Sequence, residues 1–255
     1  DWQDAIFQTA PMHSHNVSVR GGNEKTRFAL SGNYFDQDGI VIFSKFQKGN
    51  VALNLDHSVS EKLKIGANVS VGYNKDRPIQ HSTSGHGNSG VIYAALQSDP
   101  VQPVKYEDGT YSSQDRLWTT TGIYANPAIQ NPVEMAEKAE ALNTRMRLLG
   151  NFYAQYELVE GLIAKTTFGT YLTNGRNRSY LPSYFVNSRT TGGSGSVSSS
   201  ELFNWVNENT LTYKKSIDDR HNLEVLGGFT MQRESEESLS ATSYDYFTDV
   251  LGFYN

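Results

Sequence analysis

Residues Leu63 to Asn74 alternate strictly between apolar side chains and polar or glycine residues. The apolar residues occupy the odd positions, Leu63, Ile65, Ala67, Val69, Val71 and Tyr73. Because successive side chains of a β-strand point to opposite faces, the stretch predicts a strand with one apolar and one polar face. Globular strands usually have about 5–6 residues, whereas a tilted strand needs about 9–11 residues to cross a bilayer. We therefore predict a membrane-spanning strand whose odd face contacts lipid and whose even face lines a lumen.

Composition agrees with a membrane β-barrel and argues against other classes of protein. Only 37% of the 255 residues are hydrophobic, which suits a barrel because only alternate strand positions need be apolar. A net charge of −5 without a Lys/Arg cluster argues against nucleic-acid binding. The chain has no cysteine, which excludes disulfides, zinc-thiolate sites and thiol catalysis. The sequence contains no run of about 18 uncharged apolar residues, the length that a transmembrane helix requires.

The same alternation recurs along the chain, and short and long connections follow each other in turn. We predict an all-β, antiparallel, up-and-down transmembrane β-barrel with short periplasmic turns and long extracellular loops. About eight strands are expected, in four hairpins, at His15–Gly21, Arg27–Phe35, Asn50–Val59, Leu63–Asn74, Arg147–Leu158, Leu162–Thr173, Phe203–Tyr213 and Leu223–Gln232.

Two long loops and a tail complete this prediction. The first loop runs from Lys75 to about Thr144. We expect it to fold partly over the lumen, with short helices near Gly90–Gln97 and from Asn131, which would cap the second helix. The second loop, Thr173–Ser200, contains a Gly/Ser run that predicts flexibility. The tail from Arg233 to Asn255 is also expected to be loop.

Several segments resemble the SusC/RagA family of TonB-linked outer-membrane transporters of the Bacteroidetes. The resemblance lies in the order and spacing of motifs along the whole chain. These are DWQDAIF at 1–7, HNVSVRGG at 15–22, SGNYFDQDGI at 31–40, NLD at 54–56 with LKIG at 63–66, and NENTLTY at 207–213.

The resemblance implies that residues 1–255 are part of one TonB-dependent-receptor barrel domain. In that family these segments follow the plug domain and form the first part of a 22-stranded barrel. The family's TonB box, plug domain and remaining strands have no counterpart in this sequence, and no signal peptide precedes Asp1. We therefore expect an interior section of a larger protein.

The resemblance also implies a function in the outer membrane. It predicts TonB-dependent import of large nutrients, oligosaccharides or possibly peptides. The implied partners are a SusD-like surface lipoprotein, outer-membrane lipid, and TonB through the missing N-terminal part.

No catalytic motif is present, and we expect neither an enzyme nor a cofactor. His13 and His15 share a strand face, but no third ligand is near them, so a polar strand start explains them better than a metal site. The segment Asp36-Gln37-Asp38-Gly39 lacks the glutamate of a calcium loop, and a hairpin turn is the better interpretation.

Aromatic residues fall into two groups. Tyr34, Phe35, Tyr73 and Phe152 lie near predicted strand ends, where membrane barrels carry their aromatic girdles. The first long loop contains four further aromatic residues among polar neighbours, which could stack on sugar rings or peptide groups. We consider these four as candidate substrate-binding residues: Tyr106, Tyr111, Trp118 and Tyr124.

Two alternatives remain at this stage. One is a complete eight-stranded barrel that serves as an anchor or adhesin, and the other is a soluble glycan-binding sandwich. Small barrels fill their interior with interlocking side chains, whereas the even face around Gly66, Ser70 and Gly72 is small, as a wide lumen would allow. If the chain is a section of a larger barrel, His15–Gly21 and Leu223–Gln232 should not pair with each other.

Overall fold

A computed structural model describes residues 1–80, 90–113, 129–218 and 221–254. In the described residues, eight strands form one sheet in sequence order, and three short α-helices lie outside it. The strands are β1 (Met12–Gly22), β2 (Thr26–Asp38), β3 (Lys45–Ser58), β4 (Leu63–Arg77), β5 (Glu140–Val159), β6 (Leu162–Leu181), β7 (Ser194–Asp218) and β8 (His221–Tyr244). The helices are α1 (Trp2–Ile6), α2 (Val91–Gln97) and α3 (Pro132–Lys138), with 3-10 turns at Arg189–Thr191 and Gly252–Tyr254.

Every neighbouring pair of strands is antiparallel. The strand order is linear, and among the described residues β1 and β8 share no ladder of backbone hydrogen bonds. The predicted open sheet is therefore confirmed. It is an eight-strand antiparallel section and not a closed eight-stranded barrel.

The register sorts the side chains into two faces. Val69 of β4 pairs with Leu53 of β3 and Gly150 of β5, so the apolar positions continue from strand to strand. One residue along β4, Asn68 pairs with Asn54 and Asn151 on the opposite, polar face. A one-residue slip would exchange the two faces, and the hydrophobic pattern therefore fixes this register.

Tight turns join the strands at one end of the sheet. In the turn after β1, the Asn23 side chain accepts hydrogen bonds from the backbone N–H groups of Lys25 and Thr26. Gly161 has a φ of 79° in the turn between β5 and β6, and a Cβ there would lie 2.2 Å from the Lys214 carbonyl oxygen. Only glycine fits that position without strain.

The long connections gather at the other end, as predicted, and α2 and α3 lie there together with α1, a helix that was not predicted. Trp2 and Ile6 of α1 pack against Val41 of the β2–β3 loop and against α2 and α3. The buried side chains of this cluster are Trp2, Ile6, Val41, Val91, Ala94, Ala95, Ile129, Met135, Ala136 and Phe185. We call it the loop cluster. The predicted helices near Gly90–Gln97 and from Asn131 are confirmed as α2 and α3.

All eight strands extend further toward the loop cluster than predicted, and the largest extensions are those of β5 to β8. β5 begins at Glu140 and β6 ends at Leu181, which leaves residues 182–193 as the loop in place of Thr173–Ser200. The Gly/Ser run, predicted to be flexible, belongs to β7 from Ser194 onward, and β8 reaches Tyr244 in the predicted tail. These small polar residues are held by backbone hydrogen bonds to strands on both sides, which composition does not reveal.

The register also corrects one girdle residue. Phe35 pairs with Lys48 on the polar face, where its ring packs edge-on against Phe46 with the centroids 6.0 Å apart. Tyr34, Tyr73 and Phe152 lie on the apolar face as expected. No helix in the described part of the chain is long and apolar enough to cross a membrane.

Candidate functional site

The polar face of the sheet is lined mainly by small and amide-bearing side chains. Along β4 it carries Gly66, Asn68, Ser70 and Gly72, and the paired positions on β3 are Asp56, Asn54, Ala52 and Asn50. Small side chains leave open space in front of the strands. Such a surface can line a water-filled passage but cannot form a close-packed protein core.

The apolar face exposes large side chains over its whole area. Val17 is 70% exposed, Val51 54% and Phe229 62%, and large apolar side chains exposed over so wide an area are unusual on a surface that faces water. Tyr34 and Tyr73 flank Gly49 from either side in one row, near the level at which the apolar band ends. This arrangement fits a lipid-facing band with an aromatic girdle at its border.

A cavity of about 290 Å³ opens on the polar face, in the half of the sheet nearer the loop cluster. Lys48, Asn74 and Arg145 form one row across β3, β4 and β5, and Asn50, Gly72 and Arg147 form the next. Sequence analysis missed this cluster because its members lie on separate strands. One signal in the sequence could have revealed it: the three cations, Lys48, Arg145 and Arg147, all occupy polar-face positions of their alternating strands.

A second polar group lies nearer the tight turns. The Tyr153 hydroxyl donates a hydrogen bond of 2.8 Å to Asp56 Oδ1, and Lys165 Nζ lies 5.2 Å from the centroid of the Tyr153 ring. A Cβ on Gly66 would collide with the Tyr153 ring, so the glycine allows the ring to cross β4 toward Asp56. These contacts hold the Tyr153 side chain against the polar face of the sheet.

Asn131 connects α3 to a small hairpin of the first long loop. Its side-chain oxygen caps α3 by accepting from the backbone N–H groups of Val133 and Glu134. Its Nδ2 donates to the carbonyl oxygens of Val104 and Ser112, at 2.9 and 3.3 Å. Since Asn131 is buried and uses both ends of its amide, it fastens the hairpin to the loop cluster.

Two of the four candidate aromatic residues, Tyr106 and Tyr111, lie in this hairpin. Tyr106 is half-buried and its hydroxyl donates to the Ser113 carbonyl. Tyr111 is also half-buried, its hydroxyl donates to Glu137, and Lys105 Nζ lies 4.4 Å from its ring centroid. One face of the Tyr111 ring is therefore already in contact with a cation. Trp118 and Tyr124 lie outside the described residues.

Several ionisable side chains in α3 and in the loop that follows β6 have shifted pKa values. Burial raises the pKa of Glu134, although Gln130 Nε2 donates to its carboxylate at 2.6 Å. The hydrogen bond from Lys138, followed by that from Tyr111, lowers the pKa of Glu137. Burial, together with the nearby Glu134, raises the pKa of Tyr184 to about 12. Burial and local hydrogen bonds therefore account for these pKa shifts.

Nothing in the described part of the chain groups three or more His, Cys, Asp or Glu side chains as metal ligands. His13 pairs with Asp36, and His15 pairs with Tyr34 across β1 and β2. Asp36 and Asp38, considered above as a turn, belong to the end of β2 and form ion pairs with Lys45 at 3.0 Å. The turn itself comes later, where Gly39 N–H donates to the Ser44 carbonyl.

The sequence is similar to known TonB-dependent receptors. It is 30% identical over 257 residues to TonB-dependent receptor P3 of Formosa agariphila, and 33% identical over 261 residues to receptor P26 of that bacterium. It is 28% identical over 214 residues to TonB-dependent receptor SusC of Bacteroides thetaiotaomicron, a match that covers 77% of this chain and 20% of SusC. The first two matches cover the whole chain but only 25% and 24% of the relatives. No family model matches the chain.

The fold is similar to that of the RagAB peptide transporter. The match has a TM-score of 0.74 at 26% identity and covers 98% of this chain and 27% of the solved chain. In sequence and in fold the chain is similar to TonB-dependent receptors of the SusC/RagA type. SusC/RagA proteins are outer-membrane β-barrel proteins, and the eight strands match a section of such a barrel. The similar proteins are receptors and a peptide importer, not enzymes.

Proposed function

We propose that this chain forms part of the wall of a SusC/RagA-type importer that carries large nutrients across the outer membrane, with energy supplied through TonB. The observation that carries the proposal is the polar face, which is continuous over eight strands and lined by small side chains on β3 and β4. A wide aqueous lumen requires such a face, and the apolar face opposite it suits lipid. Oligosaccharides or peptides are the proposed solutes, and no bond is made or broken.

The organisation of the whole receptor is also part of the proposal. Residues 1–255 would belong to one barrel domain, which a plug domain and further strands complete. A SusD-like lipoprotein would cover the extracellular mouth, where the loop cluster lies. The similarity in fold to the RagAB peptide importer over the whole length of this chain supports this arrangement.

The alternative of a complete small barrel that acts as an anchor or adhesin is not favoured. Such a barrel must close, because an unpaired backbone N–H or C=O group in the hydrocarbon region costs several kcal/mol. In the described residues β1 and β8 do not pair, and the strand order is linear. Further strands would satisfy the open edges of both.

Uptake by cells tests the proposal. The receptor gene is deleted in the source bacterium and restored on a plasmid, and uptake of fluorescent oligosaccharides and peptides is measured with and without TonB. We expect uptake of one class to depend on both the receptor and TonB. Uptake that is unchanged by deletion of the receptor would contradict the proposal.

Two matched variants connect uptake to this wall. Gly72→Trp places a large ring on the polar face, in the cavity, where a Cβ would meet only Asn50 and Gly49 at 3.8 and 3.9 Å. Val71→Trp places the same ring on the apolar face one residue away. The first should reduce uptake at equal expression, and the second should leave it unchanged.

A further inference from the structure

The cavity contains three cationic side chains, those of Lys48, Arg145 and Arg147. Among the described residues none of them forms an ion pair. Asp76 lies one row further along the polar face, and its carboxylate accepts a hydrogen bond from Asn143 at 3.5 Å. The positive charge of the cavity is therefore not neutralised within this part of the wall.

The acidic side chains of β8 lie three strands away from Arg147. Glu236 occupies the same row as Arg147, but β6 and β7 lie between their strands. With about 4.8 Å between strands, three steps separate the two backbones by about 14 Å. No ion pair joins Arg147 and Glu236 in the structure, and solvent ions screen the remaining attraction between them.

The shape of the cavity also follows from the sequence. Gly72 and Ser70 form a low floor on β4 between the taller side chains of β3 and β5. The cations stand around this floor and are exposed to solvent, and their long side chains can reach a group that enters the cavity. Low-dielectric walls focus the field of such charges and raise the local concentration of oppositely charged solutes.

We propose that this cavity binds a sulfate or carboxylate group of an anionic oligosaccharide. The proposal rests on the transport function proposed above and assigns a chemical class to the solute. Arg147 and Arg145 would bind the anionic group, since guanidinium groups match its oxygens bidentately. The cavity lies toward the loop cluster, so an entering solute meets it early.

The remaining lining of the cavity favours a saccharide over a peptide. The amides of Asn50 and Asn74 and the Ser70 hydroxyl both donate and accept hydrogen bonds, as sugar hydroxyls do. The Tyr171 ring supplies one flat surface for a pyranose ring. Apart from Tyr171, the only large apolar side chain in the lining is Leu149, which leaves little surface for apolar peptide side chains.

A cysteine reporter in the cavity tests this inference. Ser70→Cys is introduced into the full-length receptor on a background without other cysteines, and the receptor is reconstituted in liposomes. Its reaction with a neutral water-soluble thiol reagent is timed in the presence of sulfated maltohexaose, unsulfated maltohexaose or hexaglutamate. We expect protection by the sulfated sugar at a concentration that gives none with the other two probes, and weaker protection at high salt.

Three further variants of this reporter test whether the protection depends on the two arginines. Arg145→Gln with Arg147→Gln should raise the protecting concentration on the order of tenfold, because the field of the cavity is reduced. Arg145→Lys with Arg147→Lys keeps the charge but loses the bidentate geometry, and should raise the protecting concentration by less than the glutamine pair does. Arg176→Gln removes a cation from the opposite face of the neighbouring strand and should change nothing.

Each contrary outcome overturns the inference. These are equal protection by sulfated and unsulfated sugar, protection by none of the probes, stronger protection by hexaglutamate, and protection that survives loss of both arginines. The assay needs no TonB, so it separates the two proposals. Failed uptake with intact protection would remove only the transport function. Normal uptake without protection would remove only the anion site.

Discussion

Val69 and Asn68 are neighbours in β4, and their side chains lie on opposite faces of the sheet. Val69 belongs to the apolar row with Leu53, and Asn68 to the row with Asn54 and Asn151. Val69→Arg should therefore destabilise the folded receptor in lipid by about 2–4 kcal/mol, because the charge would face hydrocarbon. Asn68→Arg should have little effect, since it faces water. Urea titration of folding into liposomes measures both, and equal losses would contradict the assignment of the faces.

The tight turns and the long loops should lie on opposite sides of the membrane. The chain has no cysteine, so single cysteines can report on each side. Glu107→Cys, in the exposed hairpin of the first long loop, should react with a membrane-impermeant maleimide on intact cells. Glu61→Cys, in the turn between β3 and β4, should react only after the outer membrane is permeabilised. Reaction of Glu61→Cys from outside would reverse the topology.

Asn131 should contribute strongly to the order of the first long loop. Asn131→Ala removes the cap of α3, worth about 1 kcal/mol. It also removes the side-chain donor to the buried Ser112 carbonyl, which costs about 1–3 kcal/mol, whereas the Val104 carbonyl keeps its hydrogen bond from the Ser112 N–H. Asn131→Asp keeps the cap but loses the donor, and should be intermediate. Hydrogen exchange of residues 104–112 and 132–138 measures the change, with the exposed Glu107→Ala as control. An unchanged Asn131→Ala variant would contradict this role.

Glu134 and Glu137 should give α3 opposite responses to pH. Burial raises the pKa of Glu134, so its contribution to stability is present below the ordinary pKa of about 4.5 and is lost as pH rises through the folded value. The pKa of Glu137 is lowered by Lys138 and Tyr111, so its contribution is present at neutral pH and is lost on acidification.

Substitution by glutamine separates these two effects. Glu134→Gln should increase the hydrogen-exchange protection of α3 at pH 7, with the difference vanishing toward pH 4, after correction for intrinsic exchange rates. Glu137→Gln should decrease protection at pH 7. A fall in protection for both variants at pH 7 would contradict the direction assigned to Glu134.

The strand pattern could be predicted from the sequence because alternation is a local signal. The twelve positions of Leu63–Asn74 lie within β4, and the hairpin order matches the observed sheet. The prediction ended the strands too early where small polar residues continue the backbone hydrogen bonding to the neighbouring strands. Ser194 to Ser200 have no apolar face, and only the backbone hydrogen bonds to β6 and β8 keep them extended.

The candidate site was harder to predict for a related reason. Lys48 and Arg147 are distant in sequence, and only the pairing of β3, β4 and β5 brings them to one cavity. The aromatic residues of the first long loop were chosen by composition. For Tyr111 the structure adds two contacts, with Glu137 and Lys105, that the sequence does not show. Its role in substrate binding stays a prediction.

Cross-linking between β1 and β8 tests most directly whether these eight strands are a section of a wider barrel. Val17→Cys and Val19→Cys are each combined in the full-length receptor with Val225→Cys, Phe229→Cys or Met231→Cys. The control pair is Val19→Cys with Leu30→Cys, which face each other across β1 and β2. After oxidation in membranes, we expect a disulfide in the control and in none of the six β1–β8 pairs. Efficient cross-linking of any β1–β8 pair would mean that the two strands meet, and would contradict the wide lumen on which the proposed import depends.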